Sequence, residues 1–147
     1  MKNITKILSM GVFVIMSIGL FVGCGGLFKI TDFEGLKDLP RNPSRIVFGT
    51  NSQNFDEDNE VYGDLIEYEI RDAKVTEVAE KLFAISYKAE PKDVVIDMPP
   101  ITRILTFYNA DGDTWTVRLG LQRHKERWYS PIQDEALIAL LYESITE

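Results

Sequence analysis

Apolar and polar positions alternate along this chain with different periods, and the periods predict its elements. From Ile7 to Val22 every residue is apolar or small, an uncharged run of 16. The remainder is broken into short patterned segments. Ile46-Val47-Phe48 predicts a first strand ended by Gly49. Asn51 to Glu60 is polar and acidic and predicts an exposed loop. Between Leu65 and Ile70, Leu65, Glu67 and Glu69 face one way; Ile66, Tyr68 and Ile70 face the other, joined by Tyr62. That alternation predicts a half-buried strand. Asp72 suits an N-cap, because its carboxylate can accept bonds from orphan amides. Val75, Val78, Ala79, Leu82 and Ile85 follow at helical spacing, and Pro91 sets an outer limit on that helix.

Lys92 to Pro100 reads as a linking loop, since Pro99-Pro100 cannot join a paired central strand. The clearest element is a hairpin. Ile104, Thr106 and Tyr108 alternate with Leu105 and Phe107; after Asn109 to Asp113, alternation resumes in Trp115, Val117 and Leu119. Asp111-Gly112 supplies the positive φ that a tight turn needs. A return strand is predicted through Arg127-Trp128-Tyr129. Ser130-Pro131-Ile132-Gln133 then fits a capping box with proline at the first helical position. Ala136, Leu137, Leu140, Leu141 and Ile145 are expected to form the buried face of that closing helix. The order β-β-α-β-β-β-α predicts an α+β domain, an antiparallel sheet of about four to five strands with two helices on one face.

The first apolar run carries an address. Lys2 and Lys6 precede it, and 16 residues fall short of the roughly 20 that a spanning helix needs. A short apolar run behind a basic start reads as a secretory signal. Phe21-Val22-Gly23-Cys24 resembles the lipobox of bacterial lipoproteins, with Phe21 in place of the usual leucine. The resemblance implies cleavage before Cys24 and lipidation of its thiol with palmitate-type chains. Cys24 is the only cysteine, so no disulfide forms within the chain. Acyl chains hold at about 0.8 kcal/mol per buried CH2, so two or more anchor firmly. The expected organisation is a signal peptide over 1–23, a lipidated tether over 24–43 and one domain over 44–147. Pro40 and Pro43 block regular structure in the tether, which is expected to lift the domain off the membrane. The implied location is the outer face of the cytoplasmic membrane, reached by the general export pathway.

Charge narrows the partners. Without residues 1–23 the chain has 124 residues, with 14 basic and 23 acidic side chains, a net −9. That balance argues against nucleic acid and against electrostatic attraction to an anionic bilayer. An envelope protein or cell-wall component is the expected partner, besides the membrane itself.

Candidate chemistry is sparse. The sole histidine, His124, lies in a polar stretch, Gln122 to Arg127, expected to be a solvated turn. No Gly-x-Ser-x-Gly elbow is present, and one histidine with a lipidated cysteine cannot build a zinc site of the His/Cys type within one chain. No cofactor is implied. Carboxylates are abundant, and a small hydrolase of cell-wall carbohydrate working through a pair of them is one alternative. A calcium module is another. Counted from Asp56, the oxygens of Asp56, Asp58, Glu60, Asp64 and Glu67 echo EF-hand spacing, but Val61 stands where that loop needs glycine. The third possibility is a binding face. Trp115, Trp128 and Tyr129 crowd the hairpin region beside Arg103 and Arg118, the composition of an interface hot spot.

The chain also resembles a group of small lipoproteins of Gram-positive bacteria that carry a domain of unknown function. The likeness lies in Leu39-Pro40, Ile70-Arg71-Asp72 opening a helix, the Asp111-Gly112 hairpin and Trp128-Tyr129 before a final helix. It implies an architecture and offers no catalytic residues. The function expected from all of this is a non-catalytic binding or interaction domain, tethered outside the cell through Cys24.

Overall fold

A computed structural model describes residues 27–97 and 99–146. Among them the chain forms an α+β fold whose strands are all antiparallel. In chain order these are β1 (Arg45–Thr50), β2 (Phe55–Asp56), β3 (Val61–Tyr62) and β4 (Ile66–Glu69), then helix α1 (Asp72–Ala84). After it come β5 (Ser86–Ala89), β6 (Arg103–Tyr108), β7 (Thr114–Arg118), β8 (Gln122–His124), β9 (Arg127–Ile132) and helix α2 (Glu135–Thr146).

Strand order in the larger sheet is β4-β1-β6-β7. The hairpin forms as predicted: Leu105 pairs with Val117 and Phe107 with Trp115, which puts Leu105, Phe107 and Val117 on the buried face. Ile46 and Phe48 of β1 join them, and the two helices cover this core with Val75, Val78, Leu82, Leu137 and Leu141. Asn109 Oδ1 accepts from the amides of Asp111 (3.0 Å) and Asp113 (2.9 Å), and Gly112 takes φ +87°. This is the turn chemistry that the residue types predict.

The strands do not all join one sheet. β5, β9 and β8 form a second sheet in that order, and β2–β3 is a separate ribbon inside the acidic loop. The split begins where α1 ends. Ile85 is already extended, so the chain leaves the helix straight into β5, well before Pro91.

Three local expectations are corrected. Arg71, not Asp72, occupies the N-cap of α1 and makes no side-chain cap bond there. Asp72 is the first helical residue, where its charge still suits the helix dipole. Gly49 does not end β1, since it pairs with both Glu67 and Ile104 and the strand runs on to Thr50. Ser130-Pro131-Ile132 is strand, not a helix start, and α2 begins at Glu135. Proline is tolerated because both backbone groups of its partner Tyr87 point the other way, to Phe28 (3.0 and 2.8 Å). Pro131 therefore sits in a non-hydrogen-bonded pair, and its nitrogen faces the side where β8 has already ended.

The largest correction concerns the expected tether. Residues 28–39 are part of the domain. Ile30, Phe33, Leu36 and Leu39 are 0, 3, 7 and 4% exposed and belong to the central core. They recur every third residue, and each amide after the first bonds the carbonyl three residues back: Phe33 to Ile30 (3.4 Å), Leu36 to Phe33 (3.1 Å), Leu39 to Leu36 (3.1 Å). Gly35, at φ +79°, lets the middle turn close. Pro40 and Pro43 exclude helix and sheet but not burial. The domain thus includes residues 28–39, which lie before the expected boundary at 44.

Candidate functional site

A groove of about 420 Å³ opens between the start of α2 and the end of the β6–β7 hairpin. One wall is Pro99, Ile101 and Arg103 with Leu119 and Gly120; the other is Asp134, Glu135, Ile138 and Ala139 of α2 and its approach. That volume lies within the range of small-ligand sites.

Buried Asn51 fixes the first wall. Its Oδ1 accepts from the Thr102 amide (2.8 Å), and its Nδ2 donates to the Pro100 carbonyl (3.3 Å). Both bonds hold the strand-forbidden Pro99-Pro100 approach in place. The Leu119 amide donates to the Arg103 carbonyl (2.8 Å), so the two strand ends stay paired at the groove.

Arg103 is held from behind. Its Nε donates to Tyr142 Oη (3.0 Å), and its guanidinium lies 5.5 Å from that ring's centre. The Tyr142 hydroxyl in turn donates to Ser52 Oγ (2.8 Å) and approaches Thr50 Oγ1 (3.4 Å). Burial pushes the Tyr142 phenol up, but bonds with Ser52, Thr50 and Arg103 and the arginine's charge outweigh it. The net shift is below the ordinary tyrosine value. The cluster restricts the arginine to one orientation and leaves its side chain on the groove wall.

On the opposite wall Asp134 accepts the first bond of α2, from the Ile138 amide to its carbonyl (3.1 Å). Carboxylates there suit the positive end of the helix dipole. Asp134 also acts on Tyr87, whose buried phenol is pushed far up, first by burial and then by that charge.

The five residues predicted to form a binding face do not come together as one surface. Trp115 and Arg118 lie on β7, and Arg103 on β6, in the larger sheet; Trp128 and Tyr129 lie on β9 in the smaller one. Trp115 is half-buried against the core, while Arg118 is exposed on the opposite face from Val117. Trp128 is half-buried beneath the Arg123 guanidinium, 5.5 Å from its ring. Tyr129 is buried and stacked on Phe28, with ring centres 4.4 Å apart. Of the five, only Arg103 lines the groove. His124 is not a solvated turn residue: it ends β8, half-buried, with its ring centre 5.5 Å from that of Phe28. Cys24 lies outside the described residues.

Asp56, Asp58 and Glu60 do not converge on a common point. Asp56 accepts from the Asp58 amide (3.0 Å) and from the Asn59 amide (3.2 Å) and side chain (2.8 Å). Those bonds, the Asn59 side chain first, lower its carboxyl below the usual value. Glu60 takes φ +53° in the same turn. Among the described residues no three His, Cys, Asp or Glu are grouped to hold a metal ion.

Sequence reasoning missed Asn51, Tyr142, Asp134 and Glu135. Tyr142 falls on the polar flank of a helix whose buried stripe drew attention instead. No family model matches the chain, and neither a curated protein nor a solved structure matches it. Among the described residues no helix is long and apolar enough to cross a membrane.

Proposed function

We propose that this chain is a lipoprotein anchored through Cys24 on the outer face of the cytoplasmic membrane, and that its domain binds an envelope partner without catalysing a reaction. The observation that carries the binding reading is the groove, with a restrained arginine on one wall and two carboxylates on the other. Opposed charges set on apolar walls favour a ligand with its own paired charges, such as a peptide segment bearing a basic side chain beside an acidic one. Without residues 1–23 the chain's net charge of −9 favours a partner that is basic on the whole.

Photo-crosslinking of the full lipoprotein in its own cells tests this. A crosslinker at Ala139 is expected to trap one partner, and one at Asp111 is not. Asp134→Asn with Glu135→Gln is expected to abolish the product. Equal trapping from both positions, or a product indifferent to the double substitution, contradicts the reading.

A second reading has one observation in its favour: the groove does contain a carboxylate pair, as a small cell-wall glycosidase requires. Asp134 and Glu135 are consecutive and share one wall, however, whereas the acid and base of such an enzyme flank the scissile bond. Release of reducing sugar from cell-wall glycan by the purified chain, lost in Asp134→Asn, would establish the hydrolase.

A further inference from the structure

The lipid anchor and the folded domain are separated by almost nothing. Phe28 is fixed to β5 by its two backbone bonds with Tyr87, and its ring is stacked on Tyr129 and lies 5.7 Å from that of Phe33. Lys29 is held as well: its amide donates to Asp32 (2.7 Å), and its ammonium to the Ala84 carbonyl (3.2 Å) and Ser86 Oγ (2.8 Å). Cys24 precedes Phe28 by four residues. Whatever their conformation, four residues reach at most about 14 Å.

Beside that fixed point is a recess of about 330 Å³ between the end of α1, β5 and the start of α2. Leu27 and Ile132 line it and are 52 and 38% exposed, large apolar side chains left in solvent. Ala84, Ala136 and Leu137 continue the apolar lining, and its only charged member is Lys81. No carboxylate lines it among the described residues, in a chain that carries 23 acidic side chains. The Lys29 ammonium adds a second positive charge at the rim, on Ala84 and Ser86.

We infer that this face, around Leu27, Ile132 and Ala136, rests on the bilayer surface that holds the Cys24 lipid, so that the domain lies flat on the membrane. This rests on the proposed lipidation of Cys24. A lipid headgroup layer is the occupant that fits. It accepts exposed aliphatic side chains at the acyl boundary and lysines at the phosphate level, and it excludes carboxylates. The short reach also leaves no room for a protein partner between this face and the membrane. Contact here is apolar and anchor-driven, which agrees with a net charge that gives no general attraction to anionic lipid.

The test uses the full lipidated chain in phosphatidylcholine vesicles. Because the Cys24 thiol is occupied by lipid, Ala136→Cys provides the single thiol for a fluorophore, and Asp111→Cys on the β6–β7 turn the comparison. A spin-labelled lipid that quenches at the headgroup boundary is expected to quench the Ala136→Cys label several-fold more strongly. Gln133→Cys, on the same recess, repeats the reading should Ala136→Cys fold poorly. Leu27→Ser with Ile132→Ser is expected to reduce that quenching several-fold with the lipid still in place. Equal quenching at both sites, or none at the recess, overturns the inference. Protection of the label that rises with protein concentration in detergent would assign the face to a second copy and also overturn it. The mass of the mature chain separates the two levels. A chain without lipid on Cys24 defeats the lipoprotein reading and this one with it; a lipidated chain with an unquenched recess defeats this one alone.

Discussion

Two regions of the molecule bury similar side chains by different means. The β6–β7 hairpin buries Leu105, Phe107 and Val117 on one face of a ladder, with every second residue turned inward. Residues 28–39 bury Ile30, Phe33, Leu36 and Leu39 by successive three-residue turns, with only one short stretch of regular helix, Ile30–Asp32. The hairpin announces itself as an element. Residues 28–39 have the character of a linker, because a glycine within them and the prolines that follow forbid a long helix or strand. Burial and regular structure are separate properties, and a segment can be essential to the core while belonging to no sheet or long helix.

The comparison is sharpest when equivalent residues are cut back. Phe33→Ala and Phe107→Ala are each expected to cost about 3–5 kcal/mol, as buried phenylalanines do. Urea denaturation of a soluble chain beginning at residue 25 measures both. A tether predicts no cost at Phe33, so a small value there would restore the spacer.

A smaller effect separates two neighbours on β9. Ser130→Pro removes a ladder bond to Lys88 and is expected to cost about 1–3 kcal/mol, the penalty for a backbone group left without its partner. Pro131→Ala is expected to change stability by less than about 1 kcal/mol, because the nitrogen at 131 faces no strand. Equal costs at the two positions would show that the register is wrong.

The smallest effect is a pH dependence carried by two tyrosines shifted in opposite directions. Tyr87 is raised in the folded state, so its contribution is complete below the unfolded value of about 10 and is lost as pH rises above it. Tyr142 is lowered, so it contributes above the unfolded value of about 10 and that contribution is lost as pH falls through its folded value. In an alkaline titration followed by tyrosinate absorbance, Tyr142→Phe is expected to remove an early step. Tyr87→Phe is expected to flatten the loss of stability above pH about 10. An unchanged early step in Tyr142→Phe contradicts the arrangement around Arg103.

The same contrast separates what was legible in the sequence from what was not. Alternation marked the hairpin and helical spacing marked the core face of α1, because in each the period of burial equals the period of the backbone. The smaller sheet was not legible. β5 is four residues long and follows α1 with only Ile85 between, too short for a period to register. Ser130-Pro131 has the residue types of a helix start, and only the long-range pairing of Tyr87 with Phe28 shows why a strand tolerates them. The groove was less legible still. Asn51, Arg103 and the stretch of α2 and its approach that carries Asp134 and Tyr142 come from three separate places in the chain, and only folding makes them neighbours. The period-three row Ile30, Phe33, Leu36, Leu39 was visible, but a spacing of three without a helix or strand to fit has no standard reading.

Whether the chain is already part of the domain at Phe28 matters most. Hydrogen exchange on the native protein measures this at single amides. The Phe28 amide, bonded to the Tyr87 carbonyl, and the Leu36 and Leu39 amides are expected to be protected to the same degree as those of β6. Exchange at those three positions as fast as in an unfolded chain, with β6 still protected, would make the segment a spacer and contradict its place in the core.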